Sequence, residues 1–323
     1  MTSPDRAAVP DPGSPTGEPI GDLLVDIDAV ADPSAPARWT LDLSPAWNVF
    51  YVFGGTTMAA TLRAAERTAG RDDLHLLTAS ATFCSPVAAG PVSFQGRVLR
   101  DGRSAAQVTA ELHPGPVPGP DPAIHLAAVF GDRRAIHVDY VDLTFPDDVA
   151  PPGDLPDLQS VGEAPGEGDN PFQPIAFHRQ IDWRPAVGQS PASRDWRPGP
   201  ARYAAWMRFR RAPRRPDGTL DPVALAVPGD SLGGAVWQRL GPFGPDNPPF
   251  LVLSLEITLH VLADTDSSWI LQHVRCHHAR DGYAVGTTEL WDERRRLVGL
   301  AIQRARLRPF TPGEALGPDG DRR

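Results

Sequence analysis

The tripeptide Arg-Asp-Gly stands at residues 100–102 and again at 280–282, a spacing of 180 residues. Each copy lies between strand-like runs: Val92 to Leu99 and Ser104 to Leu112 around the first, Trp269 to Val274 and Tyr283 to Trp291 around the second. Asp-Gly between such runs is a hairpin signal, because both residues tolerate the left-handed backbone of a tight turn. A tripeptide alone constrains little. The elements around it recur in the same order, however, and an internal repeat limits the chain to architectures built from two copies of one unit.

In the first half, a strand over 38–43 leads to Gly54-Gly55 and a helix over about 56–69. Thr56 or Thr57 is the expected cap, Met58, Leu62 and Ala65 share one face, and Gly70 stops the helix. Leu77, Ala79, Ala81 and Phe83 then alternate, the first hairpin follows, and a strand over 124–130 ends the unit. The second half repeats this order. A strand from Tyr203 to Arg210 leads to Gly229-Asp230 and a helix with Leu232, Val236 and Leu240 on one face, ended by Gly241. Leu253, Leu255, Ile257, Leu259 and Val261 alternate next, ahead of the second hairpin and a strand over 297–307. A strand, a helix and several antiparallel strands wrapping it form the hotdog unit. The expected class is therefore α+β, a double hotdog. The expected divisions are a disordered leader over 1–19, repeats over 20–145 and 176–312, a Pro/Gly/acidic linker over 146–175 and a tail over 313–323.

With 31 basic against 40 acidic side chains and a net charge of -9, the chain lacks the basic face a nucleic-acid binder needs. Cys84 and Cys276 are too few for a disulfide framework, which fits a reducing cytoplasm. The first residues show no signal-peptide pattern. The longest uncharged stretches, Leu43 to Leu62 and Leu76 to Gly96, carry polar residues throughout, so no membrane span is expected. His273, Cys276, His277 and His278 invite a zinc reading, but adjacent His277 and His278 on a strand point to opposite faces. No metal or cofactor is expected. The arginines at 208, 210, 211, 214 and 215 and at 294–296 read as solvated faces.

Several pieces resemble one family, the bacterial type II acyl-CoA thioesterases and their thioesterase-like relatives, which are double hotdogs. They are Trp47-Asn48-Val49-Phe50, Val52-Phe53-Gly54-Gly55, Phe83-Cys84-Ser85-Pro86 and Arg100-Asp101-Gly102-Arg103-Ser104 in the first half. In the second they are Gly229-Asp230-Ser231, Leu253-Ser254-Leu255-Glu256-Ile257-Thr258 and Ala301-Ile302-Gln303-Arg304. The resemblance implies a catalytic set in which Asp230 is the carboxylate, Ser254 the hydroxyl and Gln303 the amide, together holding a water against a thioester. The family usually has Thr where Ser254 stands. The resemblance also implies an acyl-CoA substrate, with Gly54, Gly55 and Ser231 at the substrate groove; a homo-oligomer is left open. By the repeat, Gly55 stands opposite Asp230 and Gly131 opposite Gln303, so one site per chain is expected.

Thioester hydrolysis needs a base near the attacking oxygen, groups that fix its lone pair, and N–H donors aimed at the developing oxyanion. Asp230, Gln303 and Ser254 can supply the first two, and the second helix start the third. Each also has a plainer reading. Asp230-Ser231 at a helix start is an N-cap, and Gln303 on an alternating strand is an exposed polar residue. Two other functions compete. A non-catalytic acyl-CoA or acyl-carrier binding hotdog protein would keep the fold without turnover. Gly229-Asp230-Ser231-Leu232-Gly233 also spells the GDSL signature and a nucleophile elbow, which would make Ser231 the nucleophile of a serine hydrolase. That reading needs a histidine base and a parallel sheet, and the strand pattern offers neither.

Overall fold

The computed structural model describes residues 20–133, 140–158, 175–190, 193, 195–241 and 250–309. The first repeat supplies β1 (Val30–Ala31), β2 (Arg38–Leu43), β3 (His75–Phe83), β4 (Gly90–Asp101), β5 (Ala105–Pro114) and β6 (Ile124–Gly131). The second supplies β7 (Ile181–Val187), β8 (Arg202–Phe209), β9 (Phe250–Val261), β10 (Ile270–Arg280), β11 (Tyr283–Asp292) and β12 (Leu297–Pro309). The helices are α1 (Leu23–Asp26), α2 (Gly54–Ala69), α3 (Ala226–Gly229) and α4 (Leu232–Leu240).

All twelve strands join one sheet, and every pairing between them is antiparallel. Outward from its centre the order is β3-β6-β5-β4-β2 on one side and β9-β12-β11-β10-β8 on the other. The same order on both sides is the repeat made visible, and the chain is a double hotdog. β3 and β9 form the seam, where Ser80 pairs with Thr258 and their hydroxyls lie 2.8 Å apart.

The first central helix, α2, is buried on nearly every side from Gly55 to Ala65. Its Ala and Thr residues are small enough for β4, β5 and β6 to wrap closely around it. The second helical unit is not the single helix expected from Gly229. A 3-10 turn over Pro222–Leu225 runs into α3, the backbone breaks out at Asp230 with ψ 65°, and α4 starts at Leu232. The start of α2 packs on α3 so tightly that a Cβ on Gly55 would lie 2.6 Å from Ala226 O and 2.7 Å from Val227 Cα. Arg63 of α2 crosses to the same turn, bonding Asp221 at 2.6 Å and Glu66 at 2.6 Å.

Several local expectations are corrected. The α2 helix begins at Gly54 rather than near Thr56, and neither threonine caps it: the N-cap is Phe53, and Thr57 Oγ1 donates to Gly54 O. Only the second Arg-Asp-Gly is a two-residue Asp-Gly turn, with Asp281 at φ 54° and Gly282 at φ 79°. In the first, the strand runs through Asp101, and the loop of Gly102, Arg103 and Ser104 is held by Arg71 on Asp101 and Gly102 O. The arginine groups are not simply solvated. Arg208 and Arg210 bond Asp182, Arg215 bonds Glu66, Arg294 bonds Asp266 and Arg296 bonds Asp292.

Residues 146–158, inside the expected linker, pack on the outer face of the second half's sheet. Val149 is buried against Trp206, Trp269 and Trp291, the Trp206 indole donates to Ala150 O at 2.9 Å, and Arg202 grips both oxygens of Asp148. The leader at 1–19, the remaining linker over 159–174 and the tail at 313–323 lie outside the described residues. Among the described residues no helix is long and apolar enough to cross a membrane.

The α2–α3 contact carries a prediction. Gly55→Ala places a methyl against backbone and is expected to cost about 1–3 kcal/mol in denaturant unfolding. Gly229→Ala, whose Cβ would meet only Ala301 Cβ at 3.5 Å and Leu259 Cδ1 at 3.8 Å, is expected to cost far less.

Candidate active site

Strand β9 carries an extra residue at Leu255 relative to β12: Arg304 pairs with Glu256, but Ala305 pairs with Ser254. A bulge of this kind changes which face the following side chains use. Ile257 and Gln303 pair across the ladder and are both buried. Without the bulge, Ser254, three residues before Ile257, would face the other way. With it, Ser254 joins Gln303 on the inner face, and the core positions on this end of β9 pass to Val252 and Phe250. The expected alternation through Leu253 and Leu255 fails for this reason.

Ser254, Gln303 and Asp230 converge. Ser254 Oγ donates to Asp230 Oδ1 at 2.7 Å, and Gln303 Nε2 lies 2.6 Å from Asp230 Oδ1 and 2.8 Å from Ser254 Oγ. Gln303 Oε1 accepts the first amide of α4, Leu232 N–H, at 3.0 Å. Gln303 is 3% exposed, so it is not the surface residue its alternating strand allowed.

Asp230 does not cap its own helix. Its backbone ends α3, the N-cap of α4 is Ser231 with no side-chain capping bond, and the Asp230 carboxylate stands against the start of α2, where the Gly55 backbone favours its charged form. The helix end at the carboxylate is thus that of the first helix rather than the second. The approach is close: a Cβ on Gly54 would lie 2.5 Å from Asp230 Oδ2. Burial raises the Asp230 carboxyl above its ordinary value of 3.8, and the bonds from Ser254, Gln303 and Gly55 pull it down without cancelling that rise.

A cavity of about 390 Å³ opens onto this cluster and is lined by Asp230, Ser231, Ser254, Gln303 and Gly54, with Phe53, Phe83, Phe177, Trp183 and Tyr203 among its walls. Gly55, expected at the substrate groove, is instead buried beneath the floor and touches Asp230 through its backbone. Arg306 is the arginine among the lining residues.

The first half has no such set. β3 carries a matching extra residue at Leu77, and counting from the two bulges puts Leu76 opposite Ser254 and Ala128, not Gly131, opposite Gln303. Both are buried and apolar.

Two family models match the sequence: the acyl-CoA thioesterase C-terminal domain over residues 146–307, half of the chain, and the acyl-CoA thioesterase N-terminal domain over 43–131. The chain belongs to the acyl-CoA thioesterase family. Thioester hydrolase activity is the activity of that family, and acyl-CoA is its substrate class. Solved structures repeat the fold. A conserved protein of unknown function with a hot dog fold from Alicyclobacillus acidocaldarius matches with TM-score 0.69 and 21% identity, over 90% of this chain and 98% of that one. The acyl-CoA thioesterase II TesB2 from Mycobacterium marinum matches with TM-score 0.63 and 19% identity, over 90% and 100%. The tesB protein of Mycobacterium avium subspecies paratuberculosis matches with TM-score 0.65 and 17% identity, over 90% and 99%. No curated protein sequence matches the chain.

Within this thioesterase, Ser231 is not set up as an elbow nucleophile. Its hydroxyl lies 2.8 Å from Pro228 O and against the Gln272 amide, and among the described residues no histidine bonds it. The antiparallel sheet also removes the strand–turn–helix setting that the GDSL reading requires. His273 is buried between Arg202 and Glu289, while His277 bonds Thr287 on the surface. Among the described residues no group of three His, Cys, Asp or Glu could hold a metal.

Gln272 is the residue that sequence reasoning passed over. It is fully buried, and the bulges at Leu99 and His277 put it opposite Phe94 of the first half. The available signal was an amide where the repeat has an aromatic core residue.

The raised carboxyl of Asp230 has a signed consequence for stability. A group whose folded pKa lies above its unfolded value stabilises fully only below the unfolded value, and the contribution is lost as pH rises through the folded one. Ionised Asp230 is therefore a cost at pH 7. Asp230→Asn is expected to raise the thermal midpoint at pH 7, and the difference from wild type to shrink as pH falls toward 3.8. A lower midpoint at pH 7 would mean that the lost hydrogen bonds outweigh the desolvation.

Proposed function

We propose that the chain hydrolyses acyl-CoA thioesters with a water that Asp230 deprotonates and that Ser254 and Gln303 help to position. The observation that carries this reading is the convergence of the three side chains at the cavity floor, beside the start of α2. Asp230 Oδ1 is held by Ser254 and Gln303, which leaves Oδ2, on the Gly54 side, as the basic oxygen. Water adds its oxygen to the acyl carbon and gives a proton to Asp230. The developing oxyanion is stabilised by the positive end of α2. Collapse breaks the C–S bond, and the proton held on Asp230 passes to the leaving thiolate, giving a carboxylic acid and free coenzyme A. The acyl chain lies along the apolar cavity wall.

A carboxylate shifted upward by burial suits the base, since catalysis is most effective when the base's pKa approaches the working pH. Neutral Ser and Gln orient the carboxylate without the downward pull that a cation would exert.

Thiol release from a panel of acyl-CoAs, read with a thiol reagent, tests the proposal. Asp230→Asn is expected to lose about 10²-fold or more in turnover, Ser254→Ala to be reduced, and Ser231→Ala to keep most of it. No acyl group should be trapped covalently on the chain. The acid limb of the wild-type profile should have its midpoint above 3.8, in the direction of the Asp230 shift. An inactive Ser231→Ala labelled at no residue by fluorophosphonate in the variant, against Ser231 labelled in the wild type, would transfer the chemistry to the serine.

A further inference from the structure

One turn of α4 beyond Asp230 the cavity wall changes character. Gly234 makes room for the ring of Tyr203: a Cβ at 234 would lie 2.6 Å from Tyr203 Cδ1. Tyr203 stands on β8, packs with Leu232, Val236 and Trp237, and lines the cavity. Its hydroxyl oxygen accepts a 3.0 Å bond from Trp183 Nε1, and Trp183 lines the cavity as well.

An indole N–H can only donate, so the phenol's own proton takes no part in that bond. Among the described residues no acceptor meets it. Burial holds the phenol protonated, far above its ordinary range. The indole therefore fixes the oxygen, and a hydroxyl donor is left over on the cavity wall beside the rings of Trp183 and Trp237. A buried donor with nothing to bond is costly, and a site built this way discriminates strongly against ligands that leave it unpaired.

We infer that the cavity selects acyl groups carrying a hydrogen-bond acceptor within the chain, such as a keto, ether or hydroxyl oxygen, and that Tyr203 is the residue that reads it. The inference rests on the thioesterase reading for where the reacting carbonyl sits, at Asp230. Tyr203 and Asp230 both line the cavity, so the acceptor it reads lies along the acyl chain rather than at the thioester. A plain hydrocarbon chain of the same length would fit the volume but would bury the Tyr203 proton without a partner.

The test compares octanoyl-CoA with octanoyl-CoAs bearing a keto group at successive mid-chain positions, on the full chain. In the wild type, kcat/KM for the best keto substrate is expected to exceed that for octanoyl-CoA by about tenfold. Tyr203→Phe keeps the ring and removes the proton, and is expected to bring that ratio close to one. Trp183→Phe keeps the phenol but frees its direction, and is expected to lower the ratio part of the way. A wild-type ratio near one at every keto position overturns the inference, as does a ratio that Tyr203→Phe leaves unchanged. Hydrolysis of the whole panel at equal efficiency would still uphold the thioesterase reading. If no thioester in the panel releases thiol, that reading falls by itself, and calorimetric affinities for the same ligands decide the inference. A tenfold preference for the keto chain that Tyr203→Phe abolishes supports it, and equal affinities overturn it.

Discussion

The close approach of the Asp230 carboxylate to the start of α2 is the contact on which the rest of the arrangement depends. It joins the break in the second helical unit to the open end of the first, across the interface between the repeats. A helix start leaves amides without intrahelical partners, and α2 has no side-chain cap of its own. An acid from the other half stands against that open end instead. The glycine pair at 54–55 lets the two backbones come that close, and Asp221 on Arg63 ties the same elements together behind it. Asp230 is thus placed by tertiary structure rather than by its own helix.

The two repeats share strand order and the positions of two bulges, yet their interiors differ at a few matched points. Leu76, Phe94 and Ala128 in the first half face Ser254, Gln272 and Gln303 in the second. A buried amide or hydroxyl without a partner costs more than a bond returns, and Gln272 is matched only on its oxygen, by Ser231, while its nitrogen meets no partner among the described residues. Gln303, by contrast, serves Asp230, Ser254 and the first amide of α4 at once. Where the first half has apolar residues, packing alone suffices, so the polar set sits in one half and the other supplies a helix end and part of the cavity wall.

This division explains what was readable in the sequence. Strand order, the central helices and the double hotdog followed from periodicity and the repeated hairpins, which are local signals repeated twice. Asp230, Ser254 and Gln303 were legible through resemblance, and the structure brings all three together. The bulge at Leu255 was not legible, because five alternating apolar residues from Leu253 to Val261 describe an unbroken strand just as well. The register between the halves failed for the same reason: matching the last strands of the two repeats set Gly131 against Gln303, whereas the bulges set Ala128 there. The cap of α2 was misplaced because its partner lies about 175 residues away. Gln272 and the Trp183–Tyr203 pair stayed silent because neither lies in a motif.

The character of the donors around Asp230 decides what the carboxylate can do. An arginine at this position would hold it ionised and weakly basic, as Arg202 does for Asp148, whose carboxyl is pulled down to about 2. Among the described residues the carboxylate of Asp230 is bonded by a hydroxyl and an amide and stands beside the Gly55 backbone, and burial prevails over all three. Arg63 on α2 is committed to Glu66 and Asp221, and Arg215 to Glu66. Neutral donors fix the orientation of the carboxylate while leaving its proton affinity high, so geometry and basicity are set by different parts of the structure. The cost is a buried charge that the fold must carry at neutral pH, and the α2–α3 packing around Gly55 and Arg63 is what carries it.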